Sequence, residues 1–161
     1  MSVYVESNFV LQYALEQEAC EACAEIVRLG SGSRIKLLIP AFSLAEPHQA
    51  ISAKAKARAR LNDDLQRHLG ELGRSRPYRE IPTTFSALSD ALTASNRFER
   101  EGVRRAISGL LDAAEIIPLD ARILRLALQA ESDHPAVGQD SIVLASVLVH
   151  LGATALCRVA F

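Results

Sequence analysis

"RIKLLIPAFSLAEPHQA", residues 34–50, joins a short apolar run to a helical pattern that contains a proline. The run at 34–40 predicts a buried strand, and the pattern from 42 to about 72 predicts a long helix. Ser43 and Glu46 have the S-x-x-E spacing of a capping box. A proline is tolerated in or beside the first turn of a helix, where few N–H groups have helical acceptors. We therefore expect Pro47 to mark the start of the helix and to hold Glu46 near the edge of a sheet.

Strand and helix patterns alternate along the rest of the chain. Further strands are predicted at 3–5, 115–119 and 153–161, and further helices at 7–15, 17–30, 83–111, 120–131 and 140–152. Gly30 and Gly152 are expected to end two of these helices, and Asp120 to cap another. An Arg- and Pro-rich loop is expected at 74–82. Strands that alternate with helices predict a parallel sheet covered on both faces.

Length and composition indicate one domain over residues 1–161. The chain has 161 residues, of which 49% are hydrophobic, and this is enough for one well-filled core. No apolar run reaches the roughly 18 residues that a membrane span needs, and the first residues have no basic region typical of a signal peptide. Three cysteines cannot all pair with one another, which suits a reducing compartment. We expect a cytoplasmic protein.

The net charge of −1 hides an uneven distribution of charge. Residues 52–110 hold 12 Lys/Arg and 7 Asp/Glu, whereas the rest of the chain holds 6 and 12. In "AKAKARAR", residues 53–60, helical spacing places Lys54 with Arg58 in one row and Lys56 with Arg60 in another. These rows could contact the phosphates of a polyanion, or they could form a solvated helix face. Because no aromatic residues are interleaved with them, base stacking is not expected to be the main mode of binding.

Three acids stand beside predicted strands or at the starts of predicted helices. Glu6 follows the first strand, Glu46 lies early in the helix after the second, and Asp140 opens the late helix at 140–152. Each of them could simply be an acid that favours the positive end of a helix. In an open α/β sheet, however, the carboxyl ends of the strands are where ligands bind. Glu6 and Glu46 therefore also predict a ligand site at that edge.

Taken together, "VYVESNFVL", "IPAFSLAEP" and "DSIVLASVL" resemble the three signature segments of the PIN-domain ribonucleases, which include the VapC-like toxins of toxin–antitoxin pairs. In that family an acid followed by Ser/Thr and often Asn ends the first strand, a Glu lies early in the next helix, and an Asp opens a late helix. The resemblance implies a three-layer α/β/α PIN-like fold with a central parallel sheet of four to five strands. It also implies that 52–110 is a long helical hairpin inserted between strands two and three.

The same resemblance implies a metal-dependent endoribonuclease that hydrolyses RNA phosphodiester bonds. Glu6, Glu46 and Asp140 would be the catalytic and metal-binding residues, with Ser7 and Asn8 in support. Crowded carboxylates repel one another, and oxygen-only ligands select a hard cation such as Mg²⁺ or Mn²⁺. Lys54, Lys56, Arg58 and Arg60 would contact RNA. The expected partners are RNA, an antitoxin protein and a second copy of the chain in a homodimer.

Two alternatives stay open at this point. The family usually carries a fourth carboxylate after its last strand, whereas "ALCRVAF", residues 155–161, contains none. A protein without that acid could be a catalytically degraded module that binds RNA or a partner without cleaving it. A Mg²⁺-dependent phosphatase is a weaker alternative, because it would need an Asp where Glu6 stands. Cys20 and Cys23 have no second pair of ligands with which to hold zinc, and we expect them to be buried small residues.

Overall fold

The structure is a computed structural model that describes residues 1–78, 81–133 and 138–159. Its elements are β1 (Ser2–Tyr4), α1 (Ser7–Ala14), α2 (Cys20–Ser31), β2 (Lys36–Pro40), α3 (Ala41–Leu72), a 3₁₀ turn (Arg76–Tyr78), α4 (Ile81–Ala113), β3 (Glu115–Ile117), α5 (Ala121–Asp133) and α6 (Gly138–Val159). Two compact units are present. The first contains Met1–Pro47 together with the chain from Val103 onward, and the second contains His48–Gly102.

The first unit is built on a parallel sheet whose strand order is β1-β2-β3. Tyr4 pairs with Leu38, and Leu38 pairs with Glu115, so these three residues form one row across the sheet. Side chains alternate between the two faces of a strand. One face therefore carries Leu38 and Ile117, and the other carries Leu37 and Ile39, and all four of these side chains are buried.

Helices cover both of these faces. Leu37 and Ile39 form a core cluster with residues of α1, α2 and α4, among them Val10, Val27 and Leu110. On the opposite face, Leu38 and Ile117 form a second cluster with residues of α5 and α6, namely Ile123, Ala127 and Ala145. A strand buried on both faces should read as a continuous apolar run, and "LLI" in β2 does so.

The predicted three-layer α/β/α PIN-like fold with a central sheet of four to five strands is wrong. The described residues form three strands and six α-helices, so the chain is mostly helical around a small sheet. The segment predicted as the last strand, 153–161, instead belongs to α6 as far as Val159, and its final two residues lie outside the described part of the chain. Gly152 does not end α6. Ala and Leu are strong helix formers, and a single glycine costs only about 1 kcal/mol inside a helix.

The long helix predicted from 42 to about 72 is present as α3, but Pro47 does not mark its start. The helix begins at Ala41, directly after Pro40, and Pro47 lies inside it. Ser43 is fully buried and its hydroxyl has no hydrogen-bond partner, so it does not cap the helix as the S-x-x-E pattern suggested. Because proline has no N–H, the carbonyl of Ser43 lacks the donor that a residue four positions later would supply. The residue that marks the start of α3 is instead Pro40, which also ends β2.

Gly30 has a packing role rather than the predicted role of ending α2. The helix continues to Ser31, and Gly32 follows as its C-cap. A Cβ atom at position 30 would lie 3.0 Å from the carbonyl oxygen of Ala113 and 3.1 Å from Cβ of Leu37. The absence of a side chain lets α2 approach β2 closely, and this approach closes one face of the sheet.

The second unit consists of the facing parts of α3 and α4, which run antiparallel on either side of the 3₁₀ turn. Half-buried residues recur every three or four positions along α3, at Ala55, Arg58, Asn62 and Leu65. Such spacing forms one face of a helix. Two of these positions are polar, and Arg58 bonds Glu99 of α4 across the pair. The predicted loop at 74–82 is shorter in the structure, because α4 begins at Ile81, while residues 79–80 lie outside the described part.

None of the helices in the described ranges combines the length and the apolar character that crossing a membrane requires.

Candidate functional site

The first candidate acid lies at the junction of β1 and α1. Glu6 occupies the N-cap position of α1 with extended backbone, and its side chain makes no capping hydrogen bond. The residue is half-buried, whereas the next one, Ser7, is only 5% exposed. Asn8, the other predicted supporting residue, is exposed. The backbone thus presents Glu6 at the carboxyl end of β1 with its carboxylate free of the helix cap.

The structure joins the first two signature segments through one hydrogen bond. The Ser7 hydroxyl donates to Oε2 of Glu46, which lies half-buried in the second turn of α3. Because β1 and β2 are parallel neighbours, the segments that follow them start from the same edge of the sheet. Ser7 therefore orients Glu46 rather than Glu6. The sequence predicted a supporting role for Ser7, and the structure identifies its acceptor.

Asp140, the third candidate acid, lies in the first turn of α6 and is exposed. Further along the helix, Ala145 belongs to the cluster that contains Leu38 and Ile117. Five residues later, His150 contacts Tyr4 and Glu115, and Glu115 also bonds Lys36 at the first residue of β2. These contacts place the middle of α6 beside the row formed by Tyr4, Leu38 and Glu115. Asp140 lies two turns or more before His150 on the same helix.

The described residues do not bring three acids together. No three Asp, Glu, His or Cys side chains within 1–78, 81–133 and 138–159 form a group that could hold a metal ion. The chemistry of Glu6, Glu46 and Asp140 nevertheless suits a hard cation, because all their donor atoms are oxygens. The structure pairs Ser7 with Glu46, and within the ranges that it describes no three carboxylates come together.

Two buried hydroxyls near the candidate acids in sequence have no hydrogen-bond partner among the residues that the structure describes. Ser43 precedes Glu46 by three residues in α3, and Ser141 follows Asp140 in α6; both are fully buried. A buried hydroxyl without a hydrogen bond costs about 1–3 kcal/mol, and a water or an ion often explains such a group in proteins. Sequence reasoning assigned Ser43 to a helix cap and gave Ser141 no role. The only feature of the sequence that could have indicated these two hydroxyls is a serine close to each acid near the start of a helix.

Of the four residues predicted to bind RNA, three are exposed and one, Arg58, is half-buried. Arg58 is a structural residue, because its guanidinium bonds both carboxylate oxygens of Glu99 and also the side-chain oxygen of Asn96, at 3.0 Å. The bond to Glu99 raises the pKa of Arg58 above its already high ordinary value. Lys54, Lys56 and Arg60 are exposed. Of the four predicted contacts, these three remain candidates for phosphate binding.

Replacing Arg58 by Gln should therefore destabilise the helical hairpin. Hydrogen bonds to charged groups contribute about 1.5–3 kcal/mol each, and Glu99, whose side chain is only 12% exposed, would lose its partner. We expect a loss of that order in the free energy of unfolding, measured by urea denaturation. Arg60→Gln, an exposed change on the same helix, is the matched control and should stay within about 0.5 kcal/mol of the wild type. Equal stability of the two variants would contradict a structural role for Arg58.

The exposed cations should act on RNA affinity rather than on protein stability. We expect the triple change of Lys54, Lys56 and Arg60 to Gln to weaken RNA binding and to lower the slope of log affinity against log salt. Each phosphate contact that is lost removes about 0.7 from that slope for single strands, because fewer counterions are released. The measurement is fluorescence anisotropy over a salt series. An unchanged slope would assign these residues to a solvated surface.

A second polar cluster lies on the sheet face beneath α6. The Tyr4 hydroxyl lies 2.8 Å from Nδ1 of His150, and Nε2 of His150 lies 3.4 Å from Oε1 of Glu115. Oε2 of Glu115 is 2.8 Å from Nζ of Lys36. The cluster connects all three strands with α6. The hydrogen bond from Lys36, with a smaller contribution from His150, lowers the pKa of the Glu115 carboxyl.

That lowered pKa sets the sign of an acid dependence. A carboxyl whose pKa is lower in the folded state contributes stability above its unfolded pKa and loses it as the pH falls through the folded value. Lys36→Met should therefore reduce the loss of stability at acid pH, measured as the urea midpoint over a pH series. Because Glu115 is half-exposed, we expect an effect below about 1 kcal/mol. Lys54→Met is the control, and the same acid profile in both variants would contradict the assignment.

The resemblance to PIN-domain ribonucleases therefore rests on three short segments, two of which the Ser7–Glu46 hydrogen bond joins. The fourth predicted strand is absent from the described residues, because α6 extends through most of its length. Comparison with protein-family models, with curated proteins and with solved structures finds no match to this chain.

Proposed function

We propose that the protein is a metal-dependent endoribonuclease with its site at the carboxyl edge of the sheet, of the kind that the resemblance to PIN-domain ribonucleases implies. The observation that carries the proposal is the hydrogen bond from Ser7 to Glu46. It links the segments after β1 and β2, which are far apart in sequence, through the two residue types that the signature segments require.

The residues that would hold the ion are Glu6, Glu46 and Asp140. A bound Mg²⁺ or Mn²⁺ would supply an activated water and a positive charge at the scissile phosphate. Ser7 would fix the orientation of the Glu46 carboxylate by donating to one of its oxygens, which leaves the other oxygen free to act as a ligand. The positive end of α6 favours the negative charge of Asp140 in its first turn.

The direct test is cleavage of a labelled single-stranded RNA by the purified protein. We expect products with Mn²⁺, no products in EDTA, and recovery when excess Mn²⁺ is added back. A thermal melt in the same buffers would report whether the ion stabilises the folded state, as a ligand that binds only that state must. A wild-type protein that is folded and leaves RNA intact with either Mn²⁺ or Mg²⁺ would contradict the nuclease proposal.

A second candidate function is a module that binds RNA or a partner protein without cleaving RNA. It is favoured by the lack of a three-acid group within the described residues and of an acid in residues 155–161. The two candidates differ in one measurement. The module would bind RNA through Lys54, Lys56 and Arg60 with the same affinity in Mn²⁺ and in EDTA, and would release no products.

The remaining expectations are part of the same proposal. RNA is the proposed substrate, a small antitoxin protein and a second copy of the chain are the proposed partners, and the cytoplasm is the proposed compartment. Sedimentation of the purified chain over a range of concentrations would report the homodimer.

A further inference from the structure

We propose that the groove between α5 and α6 is a docking site for an acidic amphipathic helix of a partner protein. The groove encloses about 340 Å³ and lies within the first unit. It is lined by Arg122, Arg125, Leu126 and Gln129 of α5 and by Leu148 and Val149 of α6. One wall is therefore largely polar and basic, and the other is apolar.

The apolar wall continues beyond the groove. Leu144, Leu148 and Leu151 follow one another at spacings of four and three residues, so they lie on one face of α6. They are 49%, 49% and 47% exposed, respectively. The core of this layer uses a different face of the same helix, which carries Ile142, Ala145 and Val149. The leucine stripe is thus additional to the apolar surface that α6 needs for its own packing.

The shape of this surface matches a helix as its occupant. Three leucines over two turns of α6 form a straight ridge roughly 10 Å long beside the groove. Helix-in-groove recognition uses apolar anchors of the ligand at the same three- and four-residue spacings. An occupying helix could insert its leucines between α5 and the stripe and present its other face to Arg122 and Arg125.

The charge of the groove indicates that the occupant is acidic. Arg122 and Arg125 are exposed, and neither forms an ion pair with a carboxylate among the described residues. No acidic side chain lines the groove in that part of the chain. The lining of the groove in a symmetric second copy would bring Arg122 and Arg125 again and no carboxylate. A partner helix with Glu or Asp beside its leucines would satisfy both walls.

The inference does not depend on the nuclease proposal. Its residues belong to the outer side of the α5/α6 layer, and none of them is a candidate ligand of the ion or a candidate contact to RNA. Docking at this surface can therefore be tested with a protein that is inactive on RNA. It can equally be contradicted while RNA cleavage is intact.

The test uses two fluorescein-labelled synthetic peptides and the full chain. Both peptides carry leucines at the spacings above on a helix-forming background; one has Glu at the flanking positions and the other has Lys. We expect the Glu peptide to bind with a Kd in the micromolar range, and the Lys peptide to bind at least about tenfold more weakly. Equal affinities, or no binding of the Glu peptide up to roughly 1 mM, would overturn the proposal.

Charge-swapped variants sharpen the test. The double change Arg122→Glu and Arg125→Glu should weaken the Glu peptide and strengthen the Lys peptide, a reversal that misfolding cannot produce. Leu148→Ser should weaken both peptides, because it removes apolar contact without adding charge, and Arg104→Glu, an exposed change on α4, should alter neither. Circular dichroism would report the fold of each variant. Self-association of the chain that Leu148→Ser abolishes, without selective binding of the Glu peptide, would overturn the proposal in favour of a second copy.

Discussion

Glu46→Gln should abolish metal-dependent RNA cleavage while the protein stays folded. Gln has the shape of Glu, and its side-chain oxygen can still accept the hydrogen bond that Ser7 donates. The change removes the negative charge that would hold the ion. An ion at a phosphate supplies several kcal/mol to the transition state, and each 1.36 kcal/mol is tenfold in rate, so we expect a loss of about 100-fold or more. Asp140→Asn should act in the same way.

The matched control for these variants is Asp112→Asn, an exposed acid at the end of α4. It should cleave RNA at the wild-type rate. A thermal melt with and without Mn²⁺ should show less stabilisation by the ion in Glu46→Gln than in the wild type. Full activity of folded Glu46→Gln would remove Glu46 from the site and with it the observation on which the proposed function rests.

Leu38→Ala should have the largest effect on stability. Leu38 is fully buried in the central strand, paired on both sides, and packs with Ile117 and Ile123 beneath α5 and α6. Truncating a buried leucine typically costs about 2–5 kcal/mol, because transfer energy is lost and a cavity remains. A sheet of three short strands has few other side chains that could relax into that space. We expect a loss in this range, measured as the free energy of unfolding in urea.

Leu111→Ala provides the comparison, because Leu111 is 55% exposed on α4. The same atoms are removed there without opening a cavity, so the change in the free energy of unfolding should stay within about 0.5 kcal/mol. Similar losses in both variants would show that the sheet is not the centre of the core. A loss in Leu38→Ala with an unchanged dependence on urea would show that the unfolding transition is still cooperative.

Secondary-structure elements with a strong local sequence pattern were predicted correctly. The prediction was wrong where the same pattern fits both a strand and a helix. "LLI" flanked by Lys36 and Pro40 is short and apolar on both faces, so β2 was predictable, and Asp120 caps α5 through a 2.9 Å bond to the N–H of Ile123 as expected. The apolar run at 153–161 fits a buried strand and a buried helix equally well. The choice there depends on tertiary packing, which periodicity does not report.

The candidate site shows the same division. Glu6, Ser7 and Glu46 follow strand ends, and the positions of strand ends can be predicted from sequence. The acceptor of Ser7 could not be predicted, since it depends on which strands are neighbours. Arg58 and Lys54 are indistinguishable in the repeated "AKAKARAR", yet one bonds Glu99 and the other faces solvent. The sequence pattern of a helix shows which residues share a face, but which face packs against another helix depends on where that second helix lies.

The placement of the helical hairpin between β2 and β3 has a consequence for the order of folding. Parallel strands that are far apart in sequence pair slowly, because the intervening chain loses entropy when its ends meet. The contacts of an antiparallel pair of helices begin at its turn, where they are close in sequence, and Arg58 and Glu99, 41 residues apart, bind each other farther along it. Once that pair has formed, the flexible chain between β2 and β3 is much shorter than the sequence separation suggests. The hairpin would then lower the entropy that is lost when β3 pairs with β2. Weakening the hairpin should therefore slow refolding more than it speeds unfolding.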